Sequence, residues 1–176
     1  LERSYCRNLG GTSTLALNLL KCAAMVTNSM QSTNNNKKKV LLLDSEELVR
    51  KGIKTIINSF EGFTVSSEAS SAEEALDILK HHELDIIVLE IALPNRSGID
   101  FLHELVRRKK PFRAVCLSHV DSAEMVVQAM LSGAQSYLLK SGSIDELEEG
   151  LKISTESNNR YLPPRIAHLG LSLIHI

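Results

Sequence analysis

From Val40 onward the chain alternates short apolar runs with helical patterns at a nearly constant interval, and this alternation constrains the fold more than any other feature. Runs such as VLLL and IIVL are apolar at every position, as is typical of strands buried on both faces of a sheet. The runs predict strands at 40–43, 63–66, 86–89, 114–117 and 136–139. Because a helical pattern follows each run, we expect an α/β fold, a doubly wound parallel sheet of five strands with helices on both faces.

The predicted helices carry recognisable starting signals. Three begin with a capping side chain and an acid three residues later, namely Ser71 with Glu74, Asp121 with Glu124, and Ser143 with Glu146. We expect the Ser143 pair to form a full capping box, in which each side chain satisfies a backbone N–H of the other residue. Asp121 can supply only half of that arrangement.

The composition fits one domain of ordinary size with additional tail residues. The chain has 176 residues, 43% of them hydrophobic, so it can bury a substantial core. A formal net charge of -1 gives no indication of a nucleic-acid or anionic-membrane partner. The three cysteines are odd in number and widely spaced, which argues against a disulfide framework or a zinc site and fits a reducing, cytoplasmic compartment.

Residues 1–37 differ in character from those that follow, and we expect a disordered or non-native leader there. The mildly apolar stretch TLALNLLKCAAMV is interrupted by Asn18 and Lys21 and is too short to span a bilayer. The polar run QSTNNNKKK is typical of disorder. Met25 and Met30 are candidates for the natural start.

Polar residues follow four of the predicted strands, at the edge of the sheet where parallel α/β folds bind ligands. Asp44 and Ser45 follow the first strand, Glu90 the third, Ser118 the fourth and Lys140 the fifth. We therefore expect two acids, a hydroxyl group and an ammonium group to meet at one edge of the sheet.

These residues and their neighbours together resemble the receiver domain of bacterial response regulators. The resemblance rests on Asp44 with LVRKGI shortly after it, on Glu90-Ile-Ala-Leu-Pro94, on Leu117-Ser118 and on Tyr137-Leu-Leu-Lys140. The stretches EASSAEEAL, SGIDFLHEL, GAQSYLLKSGSIDELEEGLK and RYLPPRIA are similar to the NarL/FixJ-type branch of the family. The resemblance implies a flavodoxin-like (βα)5 receiver domain at 38–155, followed in the family by a helix-turn-helix DNA-binding domain.

The family's chemistry gives each of these positions a role. A strand-end aspartate accepts a phosphoryl group, while Mg²⁺ bound by acids and a backbone carbonyl neutralises the developing charge. A lysine binds a phosphoryl oxygen, and a hydroxyl group and an aromatic side chain then move inward as a switch. By position, the resemblance assigns these roles to Glu90 (phosphoacceptor position), Asp44 and the Ala92 carbonyl (metal), Lys140 (phosphoryl binding), and Ser118 and Tyr137 (switch).

Two positions depart from the family pattern, since Glu90 stands where the family has aspartate and Ser45 where it has a second acid. Glutamate is one methylene longer, and a misplaced nucleophile loses orders of magnitude in rate. Ser45 lacks the carboxylate that a hard cation favours, so we expect weak Mg²⁺ binding. These changes predict an atypical receiver, or pseudo-receiver, with impaired self-phosphorylation. We expect Glu90 to lie close to Lys140 and Ser118 and to mimic part of the phosphorylated state.

Several of these residues also have a purely structural interpretation. Ser45 or Asp44 can cap the first helix, and Tyr137 can be an ordinary core residue. We expect His119 to line the site rather than to function in it. The basic run 107–110 is expected to be the solvated end of the third helix, where positive charge complements the helix dipole.

Three functions remain open from the sequence. The first is an atypical receiver that controls a DNA-binding domain and pairs as a homodimer through its fourth helix, fifth strand and fifth helix. The second is a conventional receiver that a histidine kinase still phosphorylates despite Glu90. The third is an unrelated nucleotide- or flavin-binding domain, but DSEELVRKG lacks the glycine-rich turn that cradles phosphate groups after a first strand.

Residues 156–176 are expected to be a linker or tail that is truncated before a DNA-binding domain. STESNNRYLPPR is typical of a polar linker, and GLSLIHI fits no receiver element. We therefore expect DNA binding only through a missing C-terminal domain, and no membrane partner.

Overall fold

The computed structural model describes residues 37–109, 111–156 and 159–171, with side chains as far as Ala167. The predictions for 1–36 lie outside these residues. The elements are β1 (Lys38–Leu43), α1 (Glu47–Ser59), β2 (Phe63–Ala69), α2 (Ala72–His81), β3 (Ile86–Leu89), α3 (Gly98–Arg107), β4 (Ala114–Ser118), α4 (Ala123–Leu131), β5 (Ser136–Leu139), α5 (Ile144–Glu156) and α6 (Pro164–Leu171). The predicted alternation of strands and helices is confirmed.

All five strands pair in parallel in the order β2-β1-β3-β4-β5. This is the flavodoxin-like order, in which the chain reverses its direction of winding between β1 and β3. The predicted doubly wound sheet is therefore confirmed. Ligands of such sheets bind outside the carboxyl ends of the strands at this reversal, so β1 and β3 position the candidate site.

The sheet is buried on both faces, which explains why its central strands are apolar at every position. Along β1, Leu41 and Leu43 belong to one buried cluster and Val40 and Leu42 to the other. Successive side chains of a strand point to opposite faces, so a strand between two cores needs an apolar residue at each position. The first cluster also contains Phe101 and other residues of α2, α3 and α4, and the second contains residues of α1 and α5.

The helix starts follow the sequence signals only in part. Ser71 caps α2 by accepting a hydrogen bond from the Glu74 N–H, as expected. Ser143 likewise accepts from the Glu146 N–H at 3.1 Å, but the Glu146 carboxylate pairs with Arg165 instead of completing the capping box.

Asp121 is not the cap of α4, and that prediction is wrong. The N-cap is Ser122, whose side chain accepts a hydrogen bond from the Met125 N–H. Because α4 begins at Ala123, the hydroxyl group of Ser122, and not the carboxylate one residue earlier, reaches the free N–H groups of the first turn.

The basic end of α3 does more than complement the helix dipole. Arg107 is largely exposed, as predicted, but both it and Arg108 donate to the nearly buried Glu104 carboxylate at 2.7 Å. These hydrogen bonds, from Arg107 first, lower the pKa of Glu104 to about 2. These ion pairs within α3 therefore stabilise the last turn of the helix.

The predicted polar linker contains ordered structure. Tyr161 forms an isolated parallel bridge with Ser136 of β5, and α6 follows it. Ile166 of α6 is fully buried in the same cluster as Phe101. Among the described residues, no helix is long and apolar enough to cross a membrane.

Candidate functional site

The carboxyl ends of β1, β3, β4 and β5 bring together the four side chains that the sequence indicated. Asp44 and Glu90 are 2% and 3% exposed, and Ser118 is fully buried. The Lys140 ammonium lies between the two acids, 2.7 Å from Asp44 Oδ2 and 2.8 Å from Glu90 Oε2. One cation thus faces two buried carboxylates at the edge of the sheet.

The Glu90 carboxylate is bound through both of its oxygens. Oε1 accepts hydrogen bonds from Ser118 Oγ at 2.5 Å and from the Ala92 N–H at 2.9 Å. Oε2 contacts Lys140 and also His119 Nδ1, at 3.2 Å. The side chain therefore reaches across the site and holds the lysine and the hydroxyl group at the same time.

The donors around Glu90 keep its carboxyl group ionised. Burial raises the pKa of Glu90, but hydrogen bonds outweigh this effect and the net pKa lies below its ordinary value. Burial likewise lowers the pKa of Lys140, and its bonds to Asp44 and Glu90 reverse the direction, so that its pKa is raised. Both groups are charged at neutral pH, and each stabilises the charge of the other.

A pH dependence follows from the lowered pKa of Glu90. The ionised group contributes stability that is present above its ordinary pKa and is lost as the pH falls through its pKa in the folded protein. We expect the native chain to lose more free energy of unfolding than Glu90→Gln between about pH 7 and about pH 3. Urea unfolding at a series of pH values measures this difference, and parallel curves for the two proteins would contradict it.

Asp44 organises the turn into α1. Its Oδ1 accepts a hydrogen bond from the Glu46 N–H at 2.9 Å, and its carbonyl accepts one from Arg50 Nη1 at 2.6 Å. The N-cap residue of α1 is Glu46, and it makes no side-chain capping bond. The interpretation of Ser45 as the helix cap is therefore wrong, because the helix begins one residue too late for it.

Tyr137 lies fully buried beneath the site and is linked to Ser118 through the backbone of Val120. The Tyr137 hydroxyl group donates to the Val120 carbonyl at 2.8 Å, and the Val120 N–H donates to Ser118 Oγ at 3.2 Å. Burial raises the pKa of Tyr137 to about 12. The ring is thus in an inward position, connected by two hydrogen bonds to the hydroxyl group that binds Glu90.

Two contacts of the site were not predicted. We expected His119 only to line the site, yet its ring contacts Glu90, and its position directly after Ser118 was the available signal. No sequence pattern indicates the hydrogen bond from Arg50 to the Asp44 carbonyl, because it joins a helix side chain to the end of a strand six residues away.

Gly98, the first residue of α3, lets that helix approach the backbone of Glu90. A Cβ at this position would lie 2.6 Å from the Glu90 carbonyl oxygen and 2.8 Å from Ile91 Cα. We expect Gly98→Ala to lower the free energy of unfolding by about 1–3 kcal/mol, because neither backbone atom can move freely.

Gly52→Ala is the matched control, because a Cβ at Gly52 in α1 would have nothing within 4 Å. We expect this change to stabilise the protein by about 0.5–1 kcal/mol, since alanine favours a helix more than glycine does. Chemical denaturation of the two variants compares them directly. A Gly98→Ala protein as stable as Gly52→Ala would show that the close approach of α3 to the Glu90 backbone does not require glycine.

The carboxylates of Asp44 and Glu90 are the acidic oxygen donors that the structure brings together at this edge of the sheet, where the sequence also led us to expect the Ala92 carbonyl as a ligand. Both carboxylates already contact the Lys140 ammonium. In the described part of the chain, no cluster of three or more His, Cys, Asp or Glu side chains has a metal-binding arrangement. The donor set carries less negative charge than a divalent cation favours, since Ser45 is neutral.

Comparison with known proteins gives a consistent result. The response regulator receiver domain family matches residues 40–152. Transcriptional regulatory protein DegU of Brevibacillus brevis is 27% identical over 126 residues, which are 72% of this chain and 53% of that protein. Transcriptional regulatory protein MctR of Rhizobium johnstonii is 34% identical over 111 residues, 62% of this chain and 51% of that protein. The chain thus spans about half the length of these curated relatives.

Solved structures share the fold. The receiver domain of the Francisella response regulator 1452 is 30% identical, with a TM-score of 0.62 over 68% of this chain and 97% of that one. A LuxR-family two-component response regulator from Aurantimonas sp. SI85-9A1 has a TM-score of 0.73 at 24% identity, covering 77% of this chain and 96% of that one. RcsB dimers bound to two parallel DNAs have a TM-score of 0.70 at 16% identity, covering 76% and 68%, and this likeness concerns the fold alone.

Proposed function

Because the chain belongs to the family of response-regulator receiver domains of two-component systems, we propose that it is the receiver of a transcriptional regulator in which Glu90 replaces the phosphorylated aspartate. The observation that carries this proposal is the bonding of the Glu90 carboxylate. It contacts Lys140, Ser118 and the Ala92 N–H at once. The first two are the lysine and hydroxyl positions that bind a phosphoryl group in the family.

The longer side chain supports this role on physical grounds. The additional methylene carries the carboxylate toward the space that the phosphoryl group of a shorter aspartate would fill. The charge it places there is -1, against about -1.5 to -2 for a protein phosphate near neutral pH. A complete population shift from off to on requires about 5.5 kcal/mol, which one ion pair does not supply. We therefore propose a bias toward the active arrangement, with Tyr137 held inward.

Receiver domains bind Mg²⁺ in general, and in this chain we propose that binding is weak. Asp44, Glu90 and the Ala92 carbonyl would hold the ion, which would supply positive charge at the acceptor carboxylate. Lys140 already supplies positive charge to both carboxylates, and Ser45 adds none of the negative charge that favours Mg²⁺. The chain's own lysine takes over part of the neutralising role.

The partners follow from the same proposal. A histidine kinase is the expected phosphodonor for any residual activity, and a cytoplasmic location suits a chain whose three cysteines are odd in number and widely spaced. Two copies would pair through the surface formed by α4, β5 and α5, which we call the α4–β5–α5 face. DNA would be bound only through a further C-terminal domain, as the resemblance to the NarL/FixJ-type branch implies, and two of the relatives are named as transcriptional regulatory proteins.

A conventional receiver is the second candidate, and the retained Asp44, Ser118 and Lys140 favour it. The two candidates differ in what happens to the native chain with Mg²⁺ and acetyl phosphate. We expect no gain of a phosphoryl group by intact mass. If the native chain is phosphorylated and Glu90→Gln abolishes the gain, Glu90 is a working acceptor and the proposal fails.

A further inference from the structure

The turn that follows β5 carries Lys140, the cation of the candidate site. The Lys140 N–H donates to the Ser118 carbonyl at 2.8 Å, and the Gly142 N–H donates to the Leu139 carbonyl at 2.8 Å. Residues 140–143 thus form a tight turn between β5 and α5. The position of the ammonium group depends on how firmly this turn is held, because the backbone of the turn is where the lysine side chain begins.

The Lys140 ammonium tolerates little displacement. It lies 2.7 Å from Asp44 Oδ2 and 2.8 Å from Glu90 Oε2, and both carboxylates are nearly buried. A shift of about 1 Å away from either oxygen would take that contact beyond the range of a hydrogen bond. A lysine side chain also loses considerable rotamer entropy when it is held in one position, so a fixed backbone favours this arrangement.

Arg165 of α6 closes over the turn from outside. Its Nη1 donates to the carbonyl of Ser141, the residue directly after Lys140, at 3.4 Å. Its Nη2 lies 3.1 Å from Glu146 Oε2 in the first turn of α5. One guanidinium group therefore joins the turn that carries Lys140 to the helix that follows it.

Gly142 shows how closely the ion pair of Arg165 and Glu146 packs on this turn. A Cβ at Gly142 would lie 2.5 Å from Arg165 Nη2, 2.6 Å from Glu146 Oε2 and 2.8 Å from the Leu139 carbonyl oxygen. Real Cβ atoms do not approach other atoms so closely. The guanidinium and the carboxylate thus lie directly against the backbone of the turn, in space that only glycine leaves open.

The segment that contains Arg165, residues 161–167, is itself anchored on the domain. Ile166 is fully buried in the cluster that also contains residues of α2, α3 and α4, and burial of a complete isoleucine side chain favours this position. The Tyr161 N–H donates to the Gln135 carbonyl at 2.9 Å. The segment therefore contacts the chain just before β5 through Tyr161 and just after it through Arg165.

The family match ends at residue 152, and the sequence indicated no role for Arg165. We propose that Arg165 is a positioning residue of the candidate site, because it fixes the turn from which Lys140 reaches Asp44 and Glu90. This role rests on the proposed function for what Lys140 does, and it adds to the site a residue from beyond the matched domain. Arg165 touches none of the acidic side chains of the site and acts through the backbone of the turn.

Arg165→Gln in the full chain tests this role. Arg165 is 39% exposed, so the variant is expected to fold. Two NMR readouts are compared with the native chain, namely the nitrogen resonance of the Lys140 ammonium group and amide hydrogen exchange at Gly142. We expect exchange at Gly142 to become at least about fivefold faster, because the turn loses a hydrogen bond from a charged donor. The Lys140 resonance should move toward that of a lysine free in water.

Arg107→Gln is the matched control. Arg107 is 73% exposed and pairs with Glu104 within α3 at 2.7 Å, so this change also removes an arginine–glutamate pair. We expect it to leave both readouts at Lys140 and Gly142 as they are in the native chain. Equal changes in the two variants would overturn the proposal, because the effect would then not come from the turn.

An unchanged Lys140 resonance in the folded Arg165→Gln variant also overturns the proposal. Such a result would show that Arg165 holds only its own segment in place. Both readouts are taken without a phosphodonor, so they do not depend on whether Glu90 is a working acceptor. Phosphoryl uptake by the native chain is measured separately, and a gain there would overturn the proposed function and not the positioning of Lys140 by Arg165.

Discussion

Replacing Lys140 by methionine is expected to lower the free energy of unfolding by about 3–5 kcal/mol near neutral pH. The lysine is the cation between two carboxylates that are 2% and 3% exposed, Asp44 and Glu90. Without it, two buried negative charges face each other with no positive partner. The side chain of Lys140 is itself 16% exposed, so we expect the lower end of that range. Urea unfolding of the two proteins measures the loss.

The pH dependence of this loss identifies its cause. In Lys140→Met the pKa of Glu90 must rise, because a buried carboxylate that faces a like charge without a cation favours protonation. A raised pKa in the folded state means that the variant regains stability as the pH falls through that pKa. The difference from the native protein should therefore shrink between about pH 7 and about pH 5.

Lys152→Met is the matched control. Lys152 is 49% exposed and pairs with Glu148 one helical turn away, at 2.6 Å. An exposed pair of this kind contributes about 0.3–0.5 kcal/mol, so the control should lose little. Equal losses at Lys140 and Lys152 would show that the buried acids do not depend on their lysine.

The double change Ser45→Asp with Glu90→Asp is expected to make the chain accept a phosphoryl group from acetyl phosphate in the presence of Mg²⁺. Shortening the acid withdraws its carboxylate from Lys140 and Ser118 and leaves space for the phosphoryl group. The new acid after β1 adds the missing charge for Mg²⁺. Because a misplacement of about 1 Å can cost about 10²-fold in rate, we expect at least that gain over the native chain.

Intact mass over time measures the rate of phosphorylation. The two single variants show how much of the increase in rate each position contributes. We expect Glu90→Asp alone to react more slowly than the double variant and to need more Mg²⁺. Asp44→Asn added to the double variant should remove the reaction, because it takes away the one original carboxylate that remains among the proposed metal ligands. A double variant no faster than the native chain would show that these two positions do not account for the loss of chemistry.

The sheet and the composition of its edge were predictable from the sequence because burial on both faces leaves a strong local signal. The bounds of β3 and β5 were predicted correctly from the runs IIVL and SYLL. The first polar residue after each of these strands belongs to the candidate site. β2 extends to Ala69, three residues beyond the predicted end, because its edge position admits polar residues such as Ser67 and Glu68. Such residues weaken the apolar pattern without ending the strand.

Contacts between distant parts of the chain were less predictable. Asp121 and Ser122 are adjacent capping residues, and only the first helical residue decides between them. Residues 161–167 follow a polar run and contain two adjacent prolines, so the sequence there resembles a linker, although Ile166 is fully buried. The bonds of Glu90 depend on how far one side chain reaches across the site, which no local pattern encodes.

The central claim is that the Glu90 carboxylate biases the switch toward the arrangement that phosphorylation produces in the family. NMR resonances of Ser118, Val120 and Tyr137 test it most directly, because these residues connect the site to the buried ring. The native chain is compared with the Ser45→Asp/Glu90→Asp variant before and after phosphorylation. We predict that the native resonances are displaced from those of the unphosphorylated variant toward those of the phosphorylated variant. Native resonances that coincide with those of the unphosphorylated variant would contradict the claim.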